Sequence, residues 1–422
     1  MAIAAVPNYL GRDFSTASPG LRFGMYLPLW GEDRRTGELV WETKDYKYEI
    51  RGQDRIERRL PHENKVDAIR QALKLTPSDV ATMRALQTRQ SALALPLIDA
   101  GNLLVAEALA VAPFTTGLGN EHPLENGFAF LNPYGLPYLA GSGVKGVLRQ
   151  SARELASGAW GDAQGWDDAA IDALFGHVCD DEDGLQRGAL TCWDVIPQLA
   201  GDALQVEVMT AHQSHYHQQG QNPHESGSPI PINFLTVPPR SGFVFHLQCD
   251  VPFLQRIAPD LAQDRRWQVL LNAALAHAFA WLGFGAKTAV GYGAMADDPA
   301  ARAQREAARR RAAAEREIEA QREAEKRMNP DDRAWAQAQP VLAAFQTTFD
   351  KARTVAFNPG GPFAQERLAF LRLALAWTES RSRLATADLI EQSATKAWGR
   401  PSNKDRWQEL QAAIAALRTV AA

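Results

Sequence analysis

Three stretches of this chain bring together residue types that can do chemistry. In SGVKGVLRQSARELA, Lys145, Arg149 and Arg153 recur every four residues, which lines three cations along one face of a helix while Val144, Val147, Leu148 and Leu155 face the other way. Ser142 precedes that run in a Gly-Ser pair and is the expected N-cap. A helix start of this kind offers free backbone amides and the positive end of a dipole to a phosphate, and the cationic stripe prolongs the contact. The same spacing also fits an ordinary amphipathic helix with a solvated basic face.

The second stretch is GFGAKTAVGYG, in which Gly283, Gly285, Gly291 and Gly293 surround Lys287. Glycines let backbone amides approach a phosphate, and a lysine among them adds a point charge. The stretch lacks the Walker spacing and follows a helix, so it also fits a tight turn into a final strand. The third is histidine-rich: His212, His215, His217 and His224 flank Tyr216 and Gln218. Such spacing suits zinc, or a His-Tyr pair for acid-base cleavage of RNA. No cysteine or close carboxylate completes a tetrahedral set, and the composition is that of a polar loop, solvated or touching RNA. Asp180, Asp181 and Asp183 form an acidic cluster that suits a cation or a surface turn. There is no Ser-His-Asp context, HExxH helix or Rossmann fingerprint. No catalytic residue, resident metal or cofactor is expected.

The elements that must position these residues follow from the hydrophobic pattern. Residues 1–100 mix Pro, Gly and charge, with a short hairpin expected around Gly37 and one or two helices in ENKVDAIRQALKL and SDVATMRALQTRQSALA. This N-terminal irregular and helical segment is expected to pack on the core. In 101–296, apolar runs bounded by Gly and Pro predict strands at LLVAEALAVAPF, GALTCWDVIPQ, ALQVEVMTAH, PINFLTV and GFVFHLQCDV. Helices are predicted at SGVKGVLRQSARELASG and RRWQVLLNAALAHAFAWLG. Interleaving of this kind is α+β with an antiparallel sheet. Residues 297–330 are nearly all Ala, Arg, Glu and Gln, a charged helical connector that Asn329 and Pro330 end. In 331–422 apolar residues recur at helical spacing between Asn-Pro-Gly-Gly-Pro and Gly-Arg-Pro turns, which predicts a C-terminal helical bundle.

Bulk properties bound the function. The 422 residues are enough for two or three domains, and 45% hydrophobic content excludes a wholly disordered chain. A net charge of −4 means that any nucleic-acid contact must come from local basic clusters. Cys179, Cys192 and Cys249 are too few and scattered for a disulfide framework. With no long apolar run, no membrane partner is expected, and a cytoplasmic location is.

In their order along the chain these motifs resemble the RAMP superfamily, RNA-binding proteins of CRISPR effector complexes. YGLPYLAGSGVKGVLR resembles the family's signature at the start of its first helix, and GFGAKTAVGYG its glycine-rich loop near the end of the fold. GLGNEHPLENGFAF ahead of the signature, and VEVMTAHQSHYH followed by SPIPINFLTV, are similar to the sixth-subunit branch found in type III-B (Cmr) complexes. The chain departs from the usual pattern at Glu207, Ala211 and Gly143.

The resemblance implies a modified ferredoxin-like, RRM-like RAMP core with an antiparallel sheet. It implies a non-catalytic subunit that binds guide (CRISPR) RNA near its 3′ end and the guide-target duplex with target RNA, beside other RAMP subunits of the Cmr effector complex, in antiviral defence. Ser142, Lys145, Arg149, Arg153, Gly285, Lys287, Gly291 and Gly293 would then meet guide phosphates. His212, Tyr216 and Phe234 are the candidates to meet the duplex, by stacking. Two alternatives stand beside it: a metal-independent CRISPR-transcript-processing endoribonuclease, with His212 or His215 as base and Tyr216 or Lys287 assisting, and a scaffold subunit touching only protein.

Overall fold

The computed structural model describes residues 4–32, 36, 39–41, 44–51, 54–63, 65–177, 186–211, 216, 220, 222, 230–327, 329–352, 362–395, 401 and 403–419. His212, His215, His217 and His224, Cys179, and the acidic cluster Asp180, Asp181 and Asp183 lie outside them. The chain divides into two units, residues 1–304 and 305–422.

In the first unit, α1 (Pro19–Phe23) precedes two antiparallel hairpins, β1 (Trp30–Glu32) with β2 (Leu39–Trp41) and β3 (Lys44–Arg51) with β4 (Asp54–Glu63). The first hairpin brackets the expected turn at Gly37. The second was not expected, although Tyr46, Tyr48 and Ile50 alternate with Lys47, Glu49 and Arg51 in KDYKYEIR; its partner DRIERRLPHE breaks the alternation at Arg58, Arg59 and Pro61. Helices α2 (Lys65–Gln71) and α3 (Pro77–Asp99) follow, as predicted. A capping box starts α3: Asp79 N–H donates to Thr76 Oγ1 at 3.1 Å and Thr76 N–H to Asp79 Oδ2 at 2.8 Å.

The central part then runs β5 (Leu103–Ala110), the small hairpin β6 (Phe130–Leu131) and β7 (Leu136–Pro137), α4 (Gly141–Ala156), α5 (Asp168–Phe175), β8 (Gly176–His177), β9 (Gln186–Arg187) and β10 (Leu190–Cys192). It continues through β11 (Gln205–Ala211), β12 (Ile230–Thr236), β13 (Gly242–Cys249), α6 (Val251–Ile257), α7 (Pro259–Ala262), α8 (Arg266–His277) and β14 (Met295–Asp297). Four strands form one antiparallel sheet in the order β10-β13-β5-β14. Each helix crossover, β5-α4-β10 and β13-α8-β14, therefore brings the chain back to a strand position that is not adjacent to the one it left.

Alternation explains the core. Ala106, Ala108 and Ala110 of β5 and Phe243, Phe245 and Leu247 of β13 share one buried cluster with Val144, Leu148 and Leu155 of α4 and Trp267, Leu271 and Ala274 of α8. Small residues on β5 leave room for the large ones on β13. Ser151 Oγ donates to Ala274 O at 2.7 Å, pinning α4 to α8. Phe23, Leu29, Ile69 and Leu75 of the N-terminal segment bury in the same cluster, and Gln87 and Gln90 of α3 donate to Ile196 O and Asp194 O.

The charged run forms one helix, α9 (Pro299–Arg327), exposed over almost its whole length. The second unit contains the expected bundle, α10 (Pro330–Ala352), α11 (Pro362–Leu375), α12 (Ser380–Thr395) and α13 (Lys404–Arg418), closed over Phe345, Phe370, Ile390 and Leu417. The fold is α+β with an antiparallel sheet and a C-terminal all-α region.

Candidate nucleic-acid interface

Helix α4 carries its cations where the spacing predicts, but two of the three meet the protein first. Lys145 Nζ donates to Leu190 O on β10 at 2.9 Å, and Arg149 Nη2 to Gly176 O on β8 at 3.0 Å. Arg153 is exposed one turn further on. Burial pushes the Lys145 ammonium pKa down; the neighbouring Cys192 opposes that shift and Arg149 adds to it. Burial also pushes the Cys192 thiol up to about 12, with Lys145 opposing. Arg149 Nε is buried with no hydrogen-bond partner. Arg149 and Arg153 open onto a cleft of about 550 Å³ lined also by Asp168, Ile171, Asp172 and His177, in which His177 Nδ1 lies 3.1 Å from Asp172 Oδ2.

The start of α4 corrects the expectation for Ser142. The N-cap is Ala140, with no side-chain cap, and Ser142 sits exposed inside the first turn. The Gly141 amide donates to Asp194 Oδ1 at 2.7 Å. A carboxylate of the chain itself thus takes the first amide of the helix.

The glycine-rich loop also differs from a phosphate cradle. All four glycines have positive φ, yet a Cβ on Gly293 would lie 1.8 Å from Phe284 O and one on Gly285 2.2 Å from Thr115 O. These two glycines permit close packing of backbone on backbone rather than approach of a ligand. Ala286 N–H donates to Thr115 O and Gly293 N–H to Pro113 O, both at 2.8 Å, and Phe284 N–H to Gly293 O at 2.9 Å. Gly291 is exposed, with open space around it.

What the loop does present is Lys287, in the left-handed region at φ 59°. Its Nζ lies 2.9 Å from Met209 Sδ and 5.5 Å from the centre of the Phe234 ring. Phe234 sits opposite Glu207 in the β11-β12 register, so Glu207, Met209 and Phe234 share one face of that hairpin. Tyr292 completes the cluster, edge-on to Phe234 at 5.4 Å with its hydroxyl 3.5 Å from Glu207 Oε2. Burial, then the Glu207 charge and hydrogen bond, push the Tyr292 pKa up.

Phe234 itself is only 1% exposed, so its ring is closed to a nucleobase; this corrects its role as a stacking residue. Tyr216 is 46% exposed. Met209, Tyr292 and Glu207 were missed by sequence reasoning, and the period-2 alternation of VEVMTA was the signal that could have grouped Glu207 with Met209. Among the described residues, Lys145, Arg149, Arg153 and Lys287 form no ion pair with a carboxylate. No described helix is long and apolar enough to cross a membrane.

Residues 107–296, which contain the sheet, α4 and the glycine-rich loop, match the family described as the RAMP superfamily. That segment is a RAMP-superfamily domain. The chain also resembles the CRISPR system Cmr subunit Cmr6 of Pyrococcus furiosus, at 26% identity over 230 residues that cover 43% of this chain and 64% of that protein. It therefore spans less than two thirds of that relative's length. Among solved structures, the crystal structure of Cmr6 from Pyrococcus furiosus aligns at 23% identity and a TM-score of 0.26, over 46% of this chain and 98% of that one. A chain of the cryo-EM structure of the type III-B Cmr-beta bound to cognate target RNA aligns at 18% identity and a TM-score of 0.37, over 56% and 71%. The matched residues include every motif singled out above, from Gly117 to Gly293.

Proposed function

We propose that this chain is a non-catalytic RAMP subunit of a type III-B Cmr effector complex, which holds guide RNA near its 3′ end and contacts the guide-target duplex. The observation that carries this is a set of cations at motif positions of a RAMP domain, Lys145, Arg149, Arg153 and Lys287, that keep no carboxylate partner among the described residues. In a chain of net charge −4, cations left without such a partner are the groups a polyanion would meet. Recognition is then of backbone and shape, because a guide is accepted whatever its spacer sequence.

The sheet order supports reading the core as ferredoxin-like: two strand-helix-strand crossovers interleave so that β5 and β13 lie at the centre, with β10 and β14 at the edges. The neighbouring RAMP subunits, guide RNA and target RNA are the partners, and the cytoplasm is the location. Co-expression with the adjacent genes tests the proposal. Purification of the tagged chain should yield other subunits and guide RNA, and the assembly should hold target RNA that this chain does not cut. A chain that purifies alone, or that cleaves repeat RNA by itself, contradicts it.

A further inference from the structure

Trp160 and Trp281 form an exposed aromatic pair outside the residues assigned to RNA above. Trp160, in the turn after α4, is 48% exposed; Trp281, in the π-helical turn Ala278–Leu282 that continues α8, is 66% exposed. Large exposed apolar side chains placed together mark interaction surfaces, and tryptophan is enriched at the centres of protein interfaces. π-Helical turns recur at functional sites.

The pair is held in place before any partner arrives. Its ring centres are 5.1 Å apart at 52°, and Trp160 stands edge-on to His277 at 5.0 Å and 84°. His277, only 8% exposed, has its Nε2 2.7 Å from Glu154 Oε2, and Gln150 donates to Glu154 Oε1 at 3.1 Å. A group clamped between two rings needs a centre separation of about 7 Å, two stacking contacts of ~3.5 Å each. Nothing fits between these rings, so only their outer faces are open.

Charge then selects the class of occupant. From Glu154 to Gly176 the sequence holds Glu154, Asp162, Asp167, Asp168 and Asp172 and no Lys, Arg or His. Asp168 and Asp172 line the cleft beside Arg149 and Arg153 without an ion pair to them, and Arg266 reaches the segment at Gly165 O, 3.5 Å away, so around Trp160 the carboxylates Glu154, Asp162 and Asp167 stand against one arginine. A nucleotide stacked there would bring its phosphate toward carboxylates. A guanidinium has the complementary charge and stacks flat on indole. We infer that Trp160 and Trp281 are the docking point for an arginine-bearing segment of a partner protein.

The test is fluorescence anisotropy of a labelled arginine-glycine repeat peptide on the full chain at low salt, with a glutamate-glycine peptide and an oligouridylate as rival probes. The arginine peptide should bind saturably. The double variant Trp160→Ala/Trp281→Ala should weaken it about tenfold, Glu154→Gln should weaken it less, and Trp281→Phe should keep most of the binding. Trp281→Ala alone, at the more exposed position, serves if the double variant melts early. No binding to the wild type, equal binding by the tryptophan variants, or oligouridylate binding that falls with them overturns the inference. Loss of RNA binding in Lys287 variants bears only on the proposed function, so the two claims fail separately.

Discussion

Lys287 and Met209 meet across the RAMP domain, with the lysine ammonium 2.9 Å from the methionine sulfur. A thioether is a weak acceptor, so this contact orients the ammonium without neutralising it. The Phe234 ring beneath adds attraction of the same undemanding kind. The loop thus holds a positioned cation whose charge is still available to an anion. Because Lys287 has φ 59°, Lys287→Gly removes the side chain without backbone strain. Thermal melting should place this variant within about 1 kcal/mol of the wild type, while its affinity for guide RNA falls severalfold. Unchanged affinity in a folded variant contradicts the role given to Lys287.

Two glycines of the same loop should separate cleanly. Gly293→Ala puts a methyl group into Phe284 O at positive φ, and should cost at least about 3 kcal/mol or prevent folding. Gly291→Ala faces open space and should cost only about 1 kcal/mol, the strain of its backbone conformation. Chemical denaturation of both variants checks the difference, and equal costs contradict the close-packing role of Gly293.

The Asp194 carboxylate holds the first amide of α4. Asp194→Ala should destabilise the first unit by about 1 kcal/mol, the usual worth of a contact at a helix start. Hydrogen exchange at Gly141 gives the local readout and should rise in the variant.

His122 sets a pH dependence. Its Nε2 is 2.9 Å from Phe23 O, its Nδ1 accepts the Leu124 amide at 3.1 Å, and the ring stacks on Phe23 at 3.8 Å. Both contacts are satisfied together only by the neutral ring. Burial pushes the His122 pKa below its ordinary value of 6.5, against the opposing hydrogen bond to Phe23. The unfolded chain therefore binds the extra proton first. This contribution to stability is complete above pH 6.5, falls as the pH drops below it, and levels off below the folded pKa. Its slope is at most about 1.4 kcal/mol per pH unit. Melting of the wild type and His122→Gln across that range should show the slope shrinking in the variant.

The elements around these residues were legible wherever apolar periodicity was strong. The strands β5 and β10 to β13, the helices α4 and α8 and the C-terminal bundle all follow from it. The hairpin of β3 and β4 went unread although Tyr46, Tyr48 and Ile50 of β3 carry a period-2 signal, because β4 interrupts its own alternation with Arg58, Arg59 and Pro61. At the site, the four-residue spacing of Lys145 and Arg149 gave their common face. It could not show that Leu190 O and Gly176 O, far along the chain, lie under that face. Ser142 looked like a cap because a cap is a local pattern, whereas Asp194 reaches Gly141 from β10's far side of the sequence. Phe234 looked available for stacking because burial depends on Tyr292 and Lys287, which reach it only in the folded chain.

The most direct test of the central claim is to purify the tagged assembly from cells co-expressing the adjacent genes, crosslink its RNA with ultraviolet light, and map the nucleotides joined to this subunit. Lys287→Gly and Arg153→Glu serve as variants that leave the carbonyl contacts of Lys145 and Arg149 intact. Guide RNA joined to this subunit near its 3′ end, with the crosslink lost in the variants, is the predicted result. An assembled complex whose RNA never joins this subunit, or joins it equally in the variants, contradicts the account.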